Sequence, residues 1–463
     1  MQIHPESGGP HAVPIDAQRC LGFNDIPMSE FWAWSWRHRI GDANRFFVKQ
    51  PASAAHVYGR KYVAAEGFTT IGPHWQETLW DNLKPSFDKA CCEGFNMLFW
   101  HAFVCSPKEC GMPGIQYFAG THLNPNVTWW DKSKPFFDYI NRCQFMLQQG
   151  LFVADAVYYY GDHVPNFAQH KRTDPAGILP GYDYDVITEE ALLTRASVRD
   201  GRIVLPDGMS YRILVLPPRD RISLAALRKV AELVRNGAVV VGPRPVAGEG
   251  LQDDDEEIES LAAELWDTGR VRTEPAREIL AELGVPPDFT YTGASEEADI
   301  DYIHRRTAEA DIYFVADRGK QPQRLRCAFR VLGKAPELWN PVTGERTFAT
   351  AYRQTSTHTE VELEFPPCGS WFVVFRESAD RHPPAANARP PRIVDVQPIE
   401  GPWQVTFDPN WGGPGTVVFD KLVDWTTRPE PGIRFYSGTA VYQATFHVDA
   451  ETLEGRRLWL DLG

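Results

Sequence analysis

The stretch Tyr62–Phe68, with the sequence YVAAEGF, decides the fold class of the first part of the chain. It is apolar except for Glu66, and a short apolar run of this length is typical of a buried strand. A second such run, Met97–Phe103 (MLFWHAF), follows a helix-like segment within Lys84–Asn96, and a helix is predicted over Lys132–Gln149. Strands that alternate with helices predict parallel βα units.

The segment 151–318 continues this α/β pattern. Tyr211–Leu216 (YRILVL) and Ala238–Gly242 (AVVVG) are predicted strands, and the amphipathic stretch Ser223–Asn236 lies between them as a helix. This strand–helix–strand order is the one that an open, doubly wound sheet needs. The strand Ile312–Ala316 (IYFVA) is expected to close the unit.

The pattern changes after residue 318 to short alternating strands, such as Leu325–Val331 and Thr359–Phe365, which favour a β-sandwich. The Pro-rich stretch His382–Arg392 predicts a linker. A further β domain begins after it, and the final residues Leu458–Gly463 resemble the middle of a strand. We therefore expect the chain to end inside a domain.

Composition limits the classes of partner. With 463 residues the chain is too long for one hydrophobic core, and about three domains are expected. The net charge of −14, without a Lys/Arg block, argues against nucleic acid. No run of 18 apolar residues is present, so no membrane span is expected. The 15 Trp, 16 Tyr and 26 Phe suit either sugar binding or ordinary core packing.

Two glutamates are candidate site residues. Glu66 comes near the end of its predicted strand, where parallel barrels carry catalytic groups. Its alternative role is a simple ion pair with Arg or Lys. Glu30 precedes the aromatic run of Pro27–Trp36 (PMSEFWAWSW), and it could equally be an edge acid beside a core aromatic ladder.

Aromatic and histidine side chains extend this candidate site. Trp100 and His101 end the strand MLFWHAF, and the loop THLNPNVTWW contributes His122, Trp129 and Trp130. These groups could bind hydroxyls and stack on sugar rings, although a lone His is more often structural and a Trp pair can anchor a helix. Trp100 and His101 are expected to project from the same face of consecutive βα units as the two glutamates.

Several segments together resemble the α-L-rhamnosidases of glycoside hydrolase family 106. They are ASAAHVYGRKYVAAEGFTTIGPHW, THLNPNVTWW, NRCQFMLQQGLFVADAVYYYGDHVPNF, GYDYDV, DYIHRR and YSGTAVYQATF, in this order along the chain. The resemblance implies a (β/α)8 barrel, a flavodoxin-like α/β domain and β-sandwiches. It also implies hydrolysis of terminal α-L-rhamnosides with inversion, a calcium ion near the sugar, and a periplasmic or extracellular setting.

The resemblance assigns roles to the candidates. Glu66 in AAEGFT matches the family's general base, and Glu30 would line the site as a calcium ligand. The residues expected to contact the rhamnose-containing glycan are Glu30, Trp100, His101, His122, Trp129 and Trp130. The family's acid comes from an earlier strand, for which Met1–Pro27 offers no candidate. The chain alone is therefore expected to be weakly active.

The fold expected on these grounds is an α/β multidomain protein. Its predicted parts are the C-terminal half of a (β/α)8 barrel (1–150), a flavodoxin-like domain (151–318), a β-sandwich (319–381) and the start of a second β-sandwich (393–463). Two other functions fit the sequence: a non-catalytic carbohydrate-binding protein, and a related barrel hydrolase such as a β-galactosidase-like enzyme. A substrate panel separates these from a rhamnosidase, because one sequence does not reveal which hydroxyls a pocket contacts.

Overall fold

The computed structural model describes residues 1–6, 14–35, 47–71, 78–111, 114–115, 117–120, 123–127, 129–161, 163–168, 170–384, 396–449 and 459–460. Residue contacts divide the chain into two compact units. The first consists of Met1–Pro107, Ile115–Leu123 and Ser133–Ala388, and the second of Lys108–Gly114, Asn124–Lys132 and Arg389–Gly463. None of the helices in the described ranges is both long and apolar enough to cross a membrane. The protein is an α/β protein with several sheets.

The first sheet has three parallel strands with helices in the connections. In chain order the elements are α1 (Ala17–Gly22), β1 (Met28–Ser35), α2 (Lys49–Val57), β2 (Ala64–Ile71), α3 (Lys84–Cys92) and β3 (Met97–Trp100). The strands are arranged in the order β1–β2–β3. The βα units predicted from the apolar runs are confirmed here.

One face of this sheet is filled with phenylalanine rings. Phe31, Phe68, Phe87 and Phe95 are fully buried. The Phe95 ring lies 5.5 Å from Phe31 and 5.6 Å from Phe87 of α3, both edge-on. Gly67 leaves room for this packing, since a Cβ atom there would lie 2.7 Å from the Phe31 ring and would also overlap the Leu98 side chain. The apolar face toward the helices therefore fixes which side chains of the strands point the other way.

A second, five-stranded sheet is parallel throughout. Its region contains α4 (Lys134–Leu147), β4 (Leu151–Phe152), β5 (Ala156–Tyr159), β6 (Tyr184–Ile187), α5 (Glu189–Arg195), β7 (Ser197–Arg199), β8 (Arg202–Val204), β9 (Ser210–Tyr211), β10 (Ile213–Val215), α6 (Leu224–Arg235), β11 (Val239–Val241), α7 (Asp255–Ala262), β12 (Val271–Arg272) and α8 (Ala276–Glu282). The order β12–β11–β10–β5–β6 is that of an open doubly wound sheet. The short strands β7, β8 and β9 form a separate three-stranded sheet.

The predicted strand pair of this sheet is confirmed. Strands β10 and β11 are adjacent and parallel, and α6 connects them. The side chain of Ser223 accepts a hydrogen bond from the Ala226 amide, which caps the helix as its sequence position predicts.

The next region contains antiparallel sheets. Its strands are β13 (Phe289–Thr292), β14 (Ile300–Arg306), β15 (Asp311–Asp317), β16 (Gln323–Phe329), β17 (Lys334–Trp339), β18 (Arg346–Phe348), β19 (Tyr352–Gln354), β20 (Thr359–Phe365) and β21 (Ser370–Ser378). One sheet has the order β13–β16–β20–β19 and the other β18–β17–β21–β15–β14–β4. Buried side chains from both sheets form one core cluster.

The assignment of Ile312–Ala316 to the α/β unit is wrong. These residues lie in β15, which pairs antiparallel with β14 on one side and β21 on the other. A fully buried strand gives the same apolar run in either kind of sheet, so the run does not reveal its partners.

The second compact unit has its own small sheet. Its elements are β22 (Trp403–Phe407), β23 (Thr416–Phe419), α9 (Pro431–Arg434) and β24 (Ala440–Gln443), and the antiparallel order is β23–β22–β24. Val405, Phe407, Phe419 and Ile433 form its core. Of the terminal stretch Leu458–Gly463, only residues 459–460 are among the described residues, so the prediction of a final strand lies largely outside them.

Candidate functional site

The two glutamates predicted from the sequence occupy equivalent positions on adjacent strands. Glu30 of β1 is in register with Glu66 of β2, and Glu66 with Phe99 of β3. Residues in register on parallel neighbours point to the same face of a sheet, and successive residues alternate between faces. Both carboxylates therefore point away from the face that Phe31 occupies.

Glu66 does not end its strand, contrary to the prediction. It is the third residue of β2, which continues to Ile71. The pairing of β1 with β2 shifts after Gly67: Phe31 pairs with Gly67, and the next residue of β1, Trp32, pairs with Thr69. This β-bulge lets the strand continue beyond Phe68, the predicted end of the strand, to Ile71.

The carboxylate of Glu66 contacts a hydroxyl and an imidazole. The Thr69 hydroxyl donates to Glu66 Oε1 at 3.2 Å and lies 3.1 Å from His101 Nδ1. His101 Nδ1 is itself 3.5 Å from Glu66 Oε1. The side chains of Glu66 and His101 are 30% and 20% exposed, so both can meet solvent or a ligand.

Glu30 is much less accessible than Glu66. The residue is 5% exposed, and its backbone carbonyl accepts a hydrogen bond from the Phe47 amide at 3.1 Å. A buried carboxylate beside a second one is costly unless hydrogen bonds, a proton or a cation compensate for the charge. Glu30 is therefore less suited than Glu66 to accept a proton from water in the site.

A third carboxyl, Glu6, belongs to the same electrostatic cluster. Glu6 forms a parallel bridge with Met28 of β1, and the Ile26 amide donates to the Ile3 carbonyl at 3.1 Å, so the N-terminal segment runs beside β1. Although Glu6 keeps surface exposure, desolvation, followed by repulsion from Glu30 and Glu66, raises its pKa to about 8. Glu6 is therefore mostly protonated at neutral pH.

Sequence reasoning missed Glu6 and two aromatic rings near His101. The Tyr117 ring lies 5.8 Å from the His101 ring, and the Phe118 ring lies 4.6 Å from that of Tyr117. Both aromatic residues are exposed, at 48% and 62%. Exposed rings beside polar groups are suited to sugar stacking. The aromatic pair in the stretch IQYFAG was the available signal.

The Trp100 ring packs toward the helices. It lies 5.3 Å from the Phe68 ring and 5.2 Å from Phe137 of α4, whereas its neighbour Phe99 takes the position in register with Glu66. The expectation that Trp100 projects from the same face as the two glutamates is therefore wrong, because Trp100 is in register with Gly67 and not with Glu66. Its role in sugar binding stays a prediction.

The structure does not test the three loop candidates as ligands of the sugar. His122 lies outside the described residues. Trp129 and Trp130 are half-buried residues of the second compact unit, where Trp130 begins a short 3₁₀ turn and its amide donates to the Val127 carbonyl. Their predicted contact with the sugar stays a prediction.

The predicted calcium site has carboxylate ligands available, but the described residues are not arranged around a metal ion. Carboxylate oxygens are the ligands that Ca²⁺ prefers, and Glu6, Glu30 and Glu66 interact electrostatically. Among the residues that the structure describes, no group of three or more His, Cys, Asp or Glu side chains is arranged to hold a metal ion. Glu30 as a metal ligand therefore remains a prediction.

Comparisons with known proteins assign this chain to a glycoside hydrolase family. The family model for glycoside hydrolase family 106, described as alpha-L-rhamnosidase, matches residues 1–354. A Formosa agariphila protein named "Putative beta-glucuronidase" is 34% identical over 390 residues, which are 82% of this chain and 32% of that protein. The solved structure of a rhamnosidase from Novosphingobium sp. PP1Y matches with a TM-score of 0.85 and 31% identity, covering 97% of this chain and 44% of that one. The chain thus spans less than half the length of either protein.

Proposed function

The chain belongs to glycoside hydrolase family 106, the alpha-L-rhamnosidase family, and we propose that it carries part of an active site that removes terminal α-L-rhamnose from glycans with inversion. The observation that carries the proposal is the alignment of Glu30 and Glu66 on one face of a parallel sheet, with Glu66 open to solvent. In this proposal the three βα units are the C-terminal half of a (β/α)8 barrel, and the antiparallel sheets form β-sandwiches.

Glu66 acts as the general base. Its carboxylate accepts a proton from the water that attacks the anomeric carbon, while His101 and Thr69 hold the carboxylate in place. Inverting glycosidases need a second carboxyl, about 6.5–9.5 Å away, that protonates the leaving oxygen. We propose that this acid comes from an earlier strand, in agreement with the family resemblance and with the part of the Novosphingobium enzyme that this chain does not cover.

The charge at the site favours a neutral sugar. Glu30 and Glu66, which repel a negative charge on Glu6, give the site a negative potential, and two like charges about 5 Å apart repel by roughly 3 kcal/mol at an effective dielectric constant near 20. A glucuronide would bring one more carboxylate, whereas rhamnose brings none. This argument supports a rhamnoside over the glucuronide that the name of the Formosa relative suggests.

The decisive experiment replaces Glu66 by Gln in the protein encoded by the complete reading frame. Glutamine keeps the shape but cannot accept the proton, and a positioned general base contributes about 10²–10⁴-fold. Hydrolysis of an aryl α-L-rhamnoside should fall by at least 100-fold, while rhamnose binding survives. The exposed Glu296→Gln is the matched control and should leave the rate unchanged.

Three results would contradict the proposal. Full activity of Glu66→Gln removes the residue from the mechanism, and faster hydrolysis of the aryl β-D-glucuronide than of the rhamnoside contradicts the substrate class. Retention of configuration, seen by NMR of the first-formed sugar anomer, contradicts inversion. Sugar binding without turnover of either glycoside by the wild-type protein would point to the non-catalytic alternative.

Calcium is proposed as the accompanying ion, with Glu30 as a protein ligand and with sugar hydroxyls or water as further oxygen donors. Such an ion would orient the sugar and offset the negative charge of the carboxylates. Isothermal titration with CaCl₂ should show binding by the wild-type protein and a loss of at least tenfold in affinity for Glu30→Gln. Equal affinity of the two proteins would exclude Glu30 as a ligand.

A further inference from the structure

The β-bulge in β2 places an unusual residue beside the candidate base. The register between β1 and β2 skips Phe68, which adopts φ +69°, in the left-handed region that favours glycine. For a bulky residue this conformation is unfavourable and persists only where the surrounding packing imposes it. Bulges recur next to active sites because they redirect side chains.

Packing of the Phe68 ring accounts for the stability of the bulge. The residue is fully buried, and its ring centroid lies 5.2 Å from Phe31 and 5.3 Å from Trp100. Burial of a phenylalanine side chain contributes about 1.5–3 kcal/mol, which is enough to offset the strained backbone. Packing on the apolar face of the sheet thus stabilises the bulge.

The bulge places Thr69 on the same face of the sheet as Glu66. In a regular strand, residues three apart point to opposite faces. The register shift at Phe68 changes this alternation, and the Thr69 hydroxyl reaches Glu66 Oε1 at 3.2 Å and His101 Nδ1 at 3.1 Å.

One hydroxyl between these two groups fixes their hydrogen bonds. A threonine hydroxyl has a single proton, and an ionised carboxylate can only accept. When that proton goes to Glu66, the oxygen accepts from His101, which must then carry its proton on Nδ1. The direction of the chain is His101 Nδ1–H to Thr69 Oγ1 and Thr69 Oγ1–H to Glu66 Oε1.

From this geometry we infer that Thr69 is a positioning residue for the reaction: it orients the Glu66 carboxylate and fixes the tautomer of His101. The inference rests on the proposed function of Glu66. With Oε1 held by the hydroxyl, Oε2 is the oxygen that faces the attacking water. In a neutral His101 ring with its proton on Nδ1, Nε2 is the nitrogen that can accept a hydrogen bond.

The test compares two substitutions in the protein encoded by the complete reading frame. Thr69→Val keeps the shape and removes the hydroxyl, whereas Thr69→Ser keeps the hydroxyl. Thr69→Val should lower kcat for an aryl α-L-rhamnoside by about 10–100-fold, as misplaced catalytic groups do, with KM within about twofold. Thr69→Ser should restore kcat to within about threefold of wild type.

A pH profile separates positioning from packing. A hydrogen bond donated to a carboxylate favours its ionised form, so without that bond the acidic limb of kcat/KM should move to higher pH in Thr69→Val, whereas it should stay in place in Thr69→Ser. The charged groups near this carboxyl are Glu6, Glu30 and His101, and they are unchanged in both variants. Thr70→Val is the control, since the Thr70 hydroxyl donates to the Phe68 carbonyl and not to Glu66.

The outcomes distinguish this inference from the proposed function. If Glu66→Gln is inactive while Thr69→Val keeps wild-type kcat and pH profile, the inference fails and the function stands. Equal losses in Thr69→Val and Thr69→Ser would also overturn it. If Thr69→Val does not fold, His101→Asn and His101→Leu take its place: asparagine keeps a donor near the Nδ1 position, so Asn must be the more active of the two. The opposite order would overturn the inference. Full activity of Glu66→Gln would instead refute the proposed function.

Discussion

A buried lysine, Lys171, joins two buried or partly buried carboxylates in the first compact unit, and its removal should be costly. Lys171 is 7% exposed, and its Nζ lies 3.0 Å from Asp183 Oδ2 and 3.1 Å from Asp301 Oδ1. It also donates to the Tyr302 carbonyl at 2.6 Å. Burial alone would lower the pKa of Lys171, but attraction to these carboxylates raises it above its ordinary value. The substitution Lys171→Met keeps the aliphatic length and deletes the charge.

The expected loss in the free energy of unfolding depends on the contacts that Asp183 and Asp301 keep in the variant. Removal of one partner from a buried ion pair costs about 3–5 kcal/mol, because the other charge stays buried and uncompensated. Asp183 retains Lys49 at 2.9 Å, whereas Asp301 retains a longer contact with Lys89 at 3.5 Å and a hydrogen bond from the Tyr302 amide at 2.8 Å. We therefore expect Lys171→Met to destabilise the protein by about 3 kcal/mol, at the lower end of that range.

Urea unfolding, followed by circular dichroism, measures this loss. The control is Lys134→Met, since Lys134 is 81% exposed and its pair with Asp138 at 2.6 Å lies at the surface, where such pairs contribute about 0–1 kcal/mol. Combining Lys171→Met with Asp301→Asn should cost less than the sum of the two single changes. If Lys171→Met loses no more stability than the control, the reasoning is refuted.

Two further predictions concern the sheet that carries the glutamates. Glu6 has a folded-state pKa raised from 4.5 to about 8, so its contribution to stability is complete below about pH 4.5 and is lost as the pH rises through about 8. Between pH 5 and 9 the thermal midpoint should thus fall more in wild type than in Glu6→Gln, and equal slopes would contradict the raised pKa. Gly67→Ala places a Cβ against Phe31 and Leu98 and should destabilise by about 1–3 kcal/mol; a urea midpoint within error of wild type would mean that the rings move aside freely.

Local sequence patterns correctly predicted the strands and the helix that are determined by neighbouring residues. Apolar runs located β2, β3, β10 and β11, and Ser223 marked the start of α6, because burial and capping are set by neighbouring residues. The sheet that holds Ile312–Ala316 was predicted wrongly because β21, one of its partners, begins only at Ser370. Such non-local pairing leaves no trace in the run itself.

Local patterns likewise predicted only those residues of the site that stand out in the sequence. Glu66 and His101 each adjoin an apolar run, so their polar character was conspicuous. Thr69 was not, since its contact with Glu66 depends on the left-handed backbone of Phe68, and a phenylalanine gives no sequence signal for that conformation. Glu6 lies in a polar segment whose single bridge to β1 brings it into the cluster.

The carboxylate cluster has a consequence for calcium. Three carboxyl groups within electrostatic reach are stable together only if a proton or a cation offsets part of their charge. In the ion-free protein the proton on Glu6 does so, as its pKa of about 8 indicates. A cation at Glu30 would lower that pKa and release the proton, so protonation of Glu6 and calcium binding at Glu30 oppose each other. Calcium affinity should therefore strengthen as the pH rises toward 8 and change little above it, whereas a calcium ion bound elsewhere would show no such dependence.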